Sequence, residues 1–161
     1  MLFPEHVYKF MFQALALAEE ALNIGEIPVG AVVVYQNKII GRGYNQTGSL
    51  KDPTAHAEMI AITAASNHLK EKFLTGCDLY VTVEPCLMCS GAILLSRINN
   101  VYFGTLEPKF GAAGSVYNIL DSKKYNHSVK VYSGIYQEES KYLLKKYFDQ
   151  KRKLNKYTNL N

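Results

Sequence analysis

His56-Ala57-Glu58 and Pro85-Cys86-Leu87-Met88-Cys89 gather the residues of this chain best suited to chemistry: one imidazole, two thiols and one spare carboxylate. An imidazole nitrogen and two thiolate sulfurs suit zinc. Three protein ligands leave its fourth tetrahedral position open, which is the arrangement of a catalytic centre. A water in that position loses its proton near neutral pH, and Glu58 stands beside a ligand to move protons. Two thiolates cancel the formal charge of the ion, so activation depends on local geometry. The competing reading is a closed structural site with Cys77 or His68 as fourth ligand, which would leave Glu58 without a purpose. C-x-x-C spacing alone also occurs in redox proteins. Cys77 just precedes a predicted strand and reads as a small packing residue.

Both halves of the constellation need a helix start to bring them together. Cys86 and Cys89 are three apart, so they share a helix face and can converge on one ion. Pro85 opens that predicted helix, which runs to about Arg97. Asp52 as N-cap with Pro53 behind it predicts another helix to about Leu69. His56 and Glu58 are two apart and do not stack on a helix face, but at a first turn one can ligate while the other leans over the open position. Helix N-termini carry partial positive charge and free N–H groups, which favour thiolate over thiol.

Around these elements the pattern alternates. Pro4 as first helical residue, with Val7, Met11, Ala14, Leu15, Ala18 and Leu22 on one face, predicts a helix to about Asn23, ended by Gly25. Val29 to Tyr35 is a buried strand, and Lys38 to Tyr44 returns from the Gln36-Asn37-Lys38 turn as its hairpin partner. Asp78 to Val83 and Asn100 to Gly104 are further strands, and Lys130 to Ser133 a short fifth. Residues 105–128 read as loop. Gln137 to about Leu154 is a closing lysine-rich helix, with the tail after Lys151 expected to fray. Strands alternating with helices give an α/β layered domain whose sheet is antiparallel at the hairpin and parallel afterwards. No repeat, linker or second domain is visible, so residues 1–161 are expected to form one domain with a basic C-terminal helix from about 137.

The length of 161 residues favours one well-formed core, and a hydrophobic fraction of 48% is that of an ordinary globular chain. A net charge of +4 permits an acidic partner such as nucleic acid without demanding one. Three cysteines, two in C-x-x-C spacing, argue against a disulfide framework and for metal binding in a reducing compartment. The apolar start, Met1 to Ala18, has Glu5 and His6 where a signal peptide needs positive charge, so an amphipathic helix is the better reading. No segment is long enough to span a bilayer, and a cytoplasmic location is expected.

His-x-Glu followed by Pro-Cys-x-x-Cys is the pattern of the zinc deaminases. The chain resembles the bacterial tRNA-specific adenosine deaminases of the cytidine deaminase-like superfamily. The similar stretches are Pro28 to Val32, Asp52 to Glu58, Leu79 to Cys86, Ser96-Arg97-Ile98, Phe103-Gly104 and Gly111 to Ser115. The zinc motif carries the superfamily; the Gly-Ala-Ala-Gly-Ser loop and Asn126-His127 point to the tRNA branch.

The resemblance implies a three-layer α/β/α fold with a mixed five-stranded sheet, and zinc held by His56, Cys86 and Cys89. It further implies an anticodon stem-loop substrate whose wobble adenosine flips into the pocket, is attacked by activated water at C6 with Glu58 shuttling protons, and leaves as inosine. Asn45 would hydrogen-bond the flipped purine, with backbone N–H groups at Ala57 and Cys86 as further contacts. The chain departs from the family after Gly104: Glu107 stands where relatives commonly carry aspartate, and Leu106 where a basic residue is often found. Lys109 remains a candidate phosphate contact. On the closing helix, Lys141, Lys145, Lys146, Lys151, Arg152, Lys153 and Lys156 would attract phosphates and Phe148 could pack a base; read without the family, this is a solvated face with a core-facing aromatic stripe. Tyr8, Phe10 and Phe12 read as packing or dimer contacts. A homodimer is likewise implied.

Two other readings use the same residues. One is a deaminase of a free base or nucleotide (guanine, cytosine or deoxycytidylate), which needs no basic terminal helix. The other is a noncatalytic, zinc-stabilised RNA-binding subunit, in which Glu58 would have no task.

Overall fold

The strands β1 (Gly30–Tyr35), β2 (Lys38–Tyr44), β3 (Cys77–Val83), β4 (Asn100–Thr105) and β5 (Lys130–Ser133) join one mixed sheet in the order β2-β1-β3-β4-β5. The architecture comes from a computed structural model that describes residues 2–158. β1 pairs antiparallel with both β2 and β3, whereas β3, β4 and β5 run parallel. A hairpin at Gln36 and Asn37, both at positive φ, reverses the first pair. A crossover through α3 (Leu87–Ser96) links β3 to β4.

Alternation decides the layers. Val33, Leu79, Val81, Val101 and Phe103 face α2 (Ala57–Leu69) and α3, where Ala61, Ala65 and Ile93 meet them. Val32, Val34 and Tyr80 point the other way, against Val7, Phe10, Met11 and Ala14 of α1 (Glu5–Asn23). α4 (Gln137–Thr158) packs beside α1 on that second face, through Leu143 against Leu15 and Ala18. The sheet is therefore buried on both faces, which is why its central strands read as unbroken apolar runs. Tyr80, Tyr102 and Tyr132 stack in a row across three strands, with ring centroids 4.6 and 4.8 Å apart. This is the expected three-layer α/β/α fold. Tyr8 and Phe10 pack internally as read, and Phe12 is exposed.

Four helix boundaries differ from expectation. Pro4 is the N-cap of α1, one residue outside it. α2 begins at Ala57 with His56 as its cap, because Asp52 spends its side chain locally: the Thr54 N–H and hydroxyl donate to Asp52 Oδ1 at 2.8 and 2.7 Å and close a turn. α3 likewise begins at Leu87, capped by Cys86. The closing helix continues four residues beyond Leu154, so the stretch expected to fray is helical to Thr158.

The register collects one end of the sheet. Gly30 at the start of β1 pairs with Tyr44 at the end of β2, and Val83 at the end of β3 pairs with Thr105 at the end of β4. The residues that follow or precede these positions, Val29, Asn45, Glu84 and Glu107, therefore share one edge. α2 is seated there by close approach: a Cβ on Gly43 would overlap the Ala57 carbonyl oxygen, and one on Gly41 that of Ala61. The first turn of α2 thus lies directly on β2.

Candidate metal centre and active-site cavity

Two helix starts meet at this edge. His56 and Cys86 are the N-caps of α2 and α3, both in extended conformation, and neither side chain caps its helix. Cys89 lies in the first turn of α3, fully buried. His56 Nδ1 is 3.6 Å from Cys86 Sγ and 3.5 Å from Cys89 Sγ. The three ligand atoms lie within 4.8 Å of one another and form the one such metal-holding group among the described residues. Cys77 sits at the opposite end of β3, paired with Tyr35, and His68 is exposed in the last turn of α2. The closed four-ligand alternative therefore has no fourth side chain among the described residues.

The donor set itself fits a soft divalent cation. A neutral imidazole nitrogen and two sulfurs crowd their lone pairs onto one point. Without a cation they must share protons. Cys86 is drawn down to about 4, first by the hydrogen bond from Cys89 and further by His56, against the opposing effect of burial. Cys89 is pushed up, first by the same bond to Cys86 and then by burial. His56 is raised chiefly by its hydrogen bond to Cys86. A zinc ion satisfies all three lone pairs at once, and the two helix N-termini favour the thiolate form.

Glu58 follows in the first turn of α2 with 4% of its surface exposed. Burial pushes its carboxyl up to about 7, partly offset by its own backbone N–H and the neighbouring His56. Such a group holds and releases a proton near neutral pH.

These residues open on a cavity of about 520 Å³. His56, Ala57, Glu58 and Cys86 line it together with Asn45 and Glu107, so the topology unites six of the residues singled out by sequence. The volume is in the range of small-ligand sites. Ile27, Val29, Val83, Leu87, Met88 and Phe110 complete an apolar wall that sequence reasoning missed. Lys109 and Phe148 do not line the cavity: Lys109 is exposed on the loop, and Phe148 lies edge-on to Tyr147 at 5.2 Å on α4.

The loop after β4 is held by a carboxylate that sequence reasoning gave no role. Glu84 is 3% exposed and accepts backbone N–H groups from Glu107 at 3.0 Å, Ala113 at 3.0 Å and Ser115 at 2.9 Å. A Cβ on Gly111 would overlap this carboxylate and the Ser115 hydroxyl. Glu107 in turn accepts the Lys109 N–H at 2.9 Å, so its longer side chain is turned onto its own loop. The only sequence signal for Glu84 was its place inside a stretch shared with the resembled family. His127, taken as a mark of the tRNA branch, is half-buried and bonds the Ile98 carbonyl at 2.6 Å, a structural contact across the sheet end.

Comparison with known proteins agrees with this geometry. A sequence model of the cytidine and deoxycytidylate deaminase zinc-binding region matches residues 4–105. The chain is 48% identical over 143 residues to the tRNA-specific adenosine deaminase of Aquifex aeolicus (strain VF5), covering 89% of this chain and 94% of that protein. It is 45% identical over 149 residues to the tRNA-specific adenosine deaminase of Haemophilus influenzae (strain ATCC 51907 / DSM 11121 / KW20 / Rd), covering 92% and 86%. A solved structure from work on A-to-I editing by tRNA:A34 deaminases at the wobble position of transfer RNA superposes with a TM-score of 0.81 at 42% identity, covering 84% of this chain and 99% of that one. The chain belongs to the family of zinc-dependent cytidine and deoxycytidylate deaminase domains, and within it to the tRNA-specific adenosine deaminases.

Proposed function

We propose that this protein hydrolytically deaminates adenosine to inosine at the wobble position of a tRNA anticodon. The observation that carries the reading is a buried carboxylate, Glu58, beside three converging zinc donors at the floor of a nucleoside-sized cavity. The identity of 41% or more to several tRNA-specific adenosine deaminases over most of the chain supports the substrate. His56, Cys86 and Cys89 would hold zinc, and the metal when bound supplies a Lewis acid that lowers the pKa of water to near 7.

The remaining steps belong to the protein. Glu58 takes the proton of the attacking water, delivers a proton to the purine ring, and passes another to the departing amine. A C6–O bond forms, the C6–N6 bond breaks, and water plus adenosine become inosine plus ammonia. Asn45 would hydrogen-bond the flipped nucleoside, and the N–H groups of Ala57 and Cys86, at helix starts without intrahelical partners, would take its polar atoms. The apolar wall excludes competing water.

Lys109, Glu107 and Phe148 would meet the nucleotides around the target. α4 is favourably placed for this. Ile27 is shared between the active cavity and a second cleft of about 400 Å³ lined by Lys51, Tyr147 and Lys151. A chain entering the cavity from that side would pass Lys51 and Lys151. Lys141, Lys145 and Arg152 already make exposed ion pairs with Glu138 and Asp149, which are worth little and exchange readily for phosphate.

The protein would act as a homodimer through α3. Leu87 and Leu95 are 57% and 80% exposed at i and i+8, and Gly91 between them leaves open space for a partner's backbone. A cytoplasmic location is also proposed. The proposed tRNA substrate supports that location, and no helix among the described residues is long and apolar enough to cross a membrane. Recovery of the protein with membranes on cell fractionation would contradict this. The whole chain would work as one deaminase unit, α4 included.

An anticodon stem-loop, free adenosine, cytidine and guanine offered side by side test the reading. Inosine in the stem-loop alone is expected, and turnover of a free base or nucleoside alone would overturn it. Glu58→Ala should keep its zinc and lose at least about a hundredfold in rate, the scale of a general acid–base contribution; undiminished turnover would remove Glu58 from the mechanism. Neutralising Lys151, Arg152 and Lys153 together should weaken stem-loop binding and flatten its salt dependence, whereas an unchanged slope would return α4 to a solvated face. Sedimentation equilibrium should give twice the chain mass, with Leu95→Glu shifting it to the monomer; a monomeric wild-type protein would contradict the dimer.

A further inference from the structure

Glu26 lies in the turn between α1 and β1, only 6% exposed, and does not line the active cavity. Its carboxylate is nonetheless the most heavily bonded side chain near it. Oε1 accepts the Ser49 N–H at 2.6 Å and the Ser49 hydroxyl at 2.7 Å, and Oε2 accepts the Gly48 N–H at 3.2 Å. Oε2 also accepts Asn45 Nδ2 at 3.2 Å. The Thr47 hydroxyl donates to the same carboxylate while its oxygen accepts Asn45 Nδ2 at 3.3 Å. Burial raises the Glu26 pKa, but the hydrogen bonds from Ser49, Gly48 and Thr47 outweigh it and hold the group below the usual range. Glu26 is therefore an ionised acceptor with nothing to donate.

This network fixes the polarity of the Asn45 amide. The NH₂ end is committed to Glu26 and Thr47, since the opposite orientation would set the amide oxygen against a carboxylate. No described residue donates to Asn45 Oδ1. The one buried side-chain polar atom without a partner among the described residues is Ser140 Oγ, so Asn45 Oδ1 is reachable, and the cavity that Asn45 lines is its outlet. The geometry points to Glu26 as a positioning residue that acts on substrate through Asn45, holding its amide so that a bare acceptor oxygen meets the ligand. The group bound there must then bring a hydrogen, as a ribose hydroxyl or an exocyclic amine does and an unprotonated ring nitrogen does not. This inference rests on the reading of Asn45 as a substrate contact.

A double-mutant cycle of Glu26→Gln and Asn45→Ala tests it, read as kcat and KM for the stem-loop and as stem-loop Kd in the Glu58→Ala background. Glutamine can both accept and donate, so it releases the amide to turn while still able to hold Ser49. Glu26→Gln is expected to raise KM and Kd roughly tenfold while kcat changes less, the signature of a lost binding contact. In the Asn45→Ala background the same change should add no more than about twofold, because the residue it acts through is gone. Multiplicative effects would overturn the proposal and reduce Glu26 to an anchor of the 47–49 loop, as would a Glu26→Gln protein with wild-type KM. Wild-type binding by Asn45→Ala would overturn it together with the assignment of Asn45. If the wild-type protein turns over only a free purine, the stem-loop reading fails separately, and the cycle is run on that purine with the same criteria.

Discussion

His56 and Cys86 occupy the same place on two different helices, the cap just before the first turn, and the sheet brings those two places together. β2 ends where β1 begins and where β3 and β4 end, so the chain leaves the sheet at one edge several times within a few ångströms. α2 is pinned to that edge by glycines in β2 that allow its backbone to touch the strand. α3 starts there because Cys86 follows β3 after two residues. The proximity of one nitrogen and two sulfurs is the consequence. Three soft donors forced this close are costly unless a cation joins them, and a cation held by three leaves room for water.

Three buried carboxylates surround the cavity and do different work because their partners differ. Glu26 and Glu84 are met by backbone N–H groups, which replace the water each has lost and turn it into a fixed anchor for a loop. Glu58 has fewer donors and carries the full effect of burial, so its proton affinity rises to near neutrality. A divalent ion next to it pulls the other way. That opposition keeps the group able to take a proton at one stage and give it up at another. Structural and chemical acids are thus separated by hydrogen-bond donors, not by depth.

The chemistry was legible in the sequence because it sits in two short motifs. His56, Glu58, Cys86 and Cys89 need only helix starts to converge, and the five strands with their order of direction followed from alternation and turn signals. The starting point of α2 was misplaced because Asp52-Pro53 is equally good at opening a helix and at closing a turn; Thr54 decided it by taking the Asp52 side chain. Glu26 and Glu84 could not be recognised, since an acid near a glycine or before a proline looks like any surface residue until the topology lays N–H groups on it. Ile27 and Phe110 come from loops with no periodicity and became cavity wall through position alone. Lys109 and Phe148 show the reverse: charge and aromaticity suggested contact with a substrate, yet both lie outside the cavity, and any contact they make must be with chain beyond the target nucleotide.

Deamination by this chain depends on a metal held by three side chains with one position left for water. X-ray absorption at the zinc edge of the purified protein measures that directly by counting scatterers. The expected result is two sulfurs and two light atoms per zinc, with one light atom contributed by His56 and the other by solvent. Three or more sulfurs, a second imidazole, or a protein that takes up no zinc would contradict the central claim, because each would fill or abolish the position where hydrolysis begins.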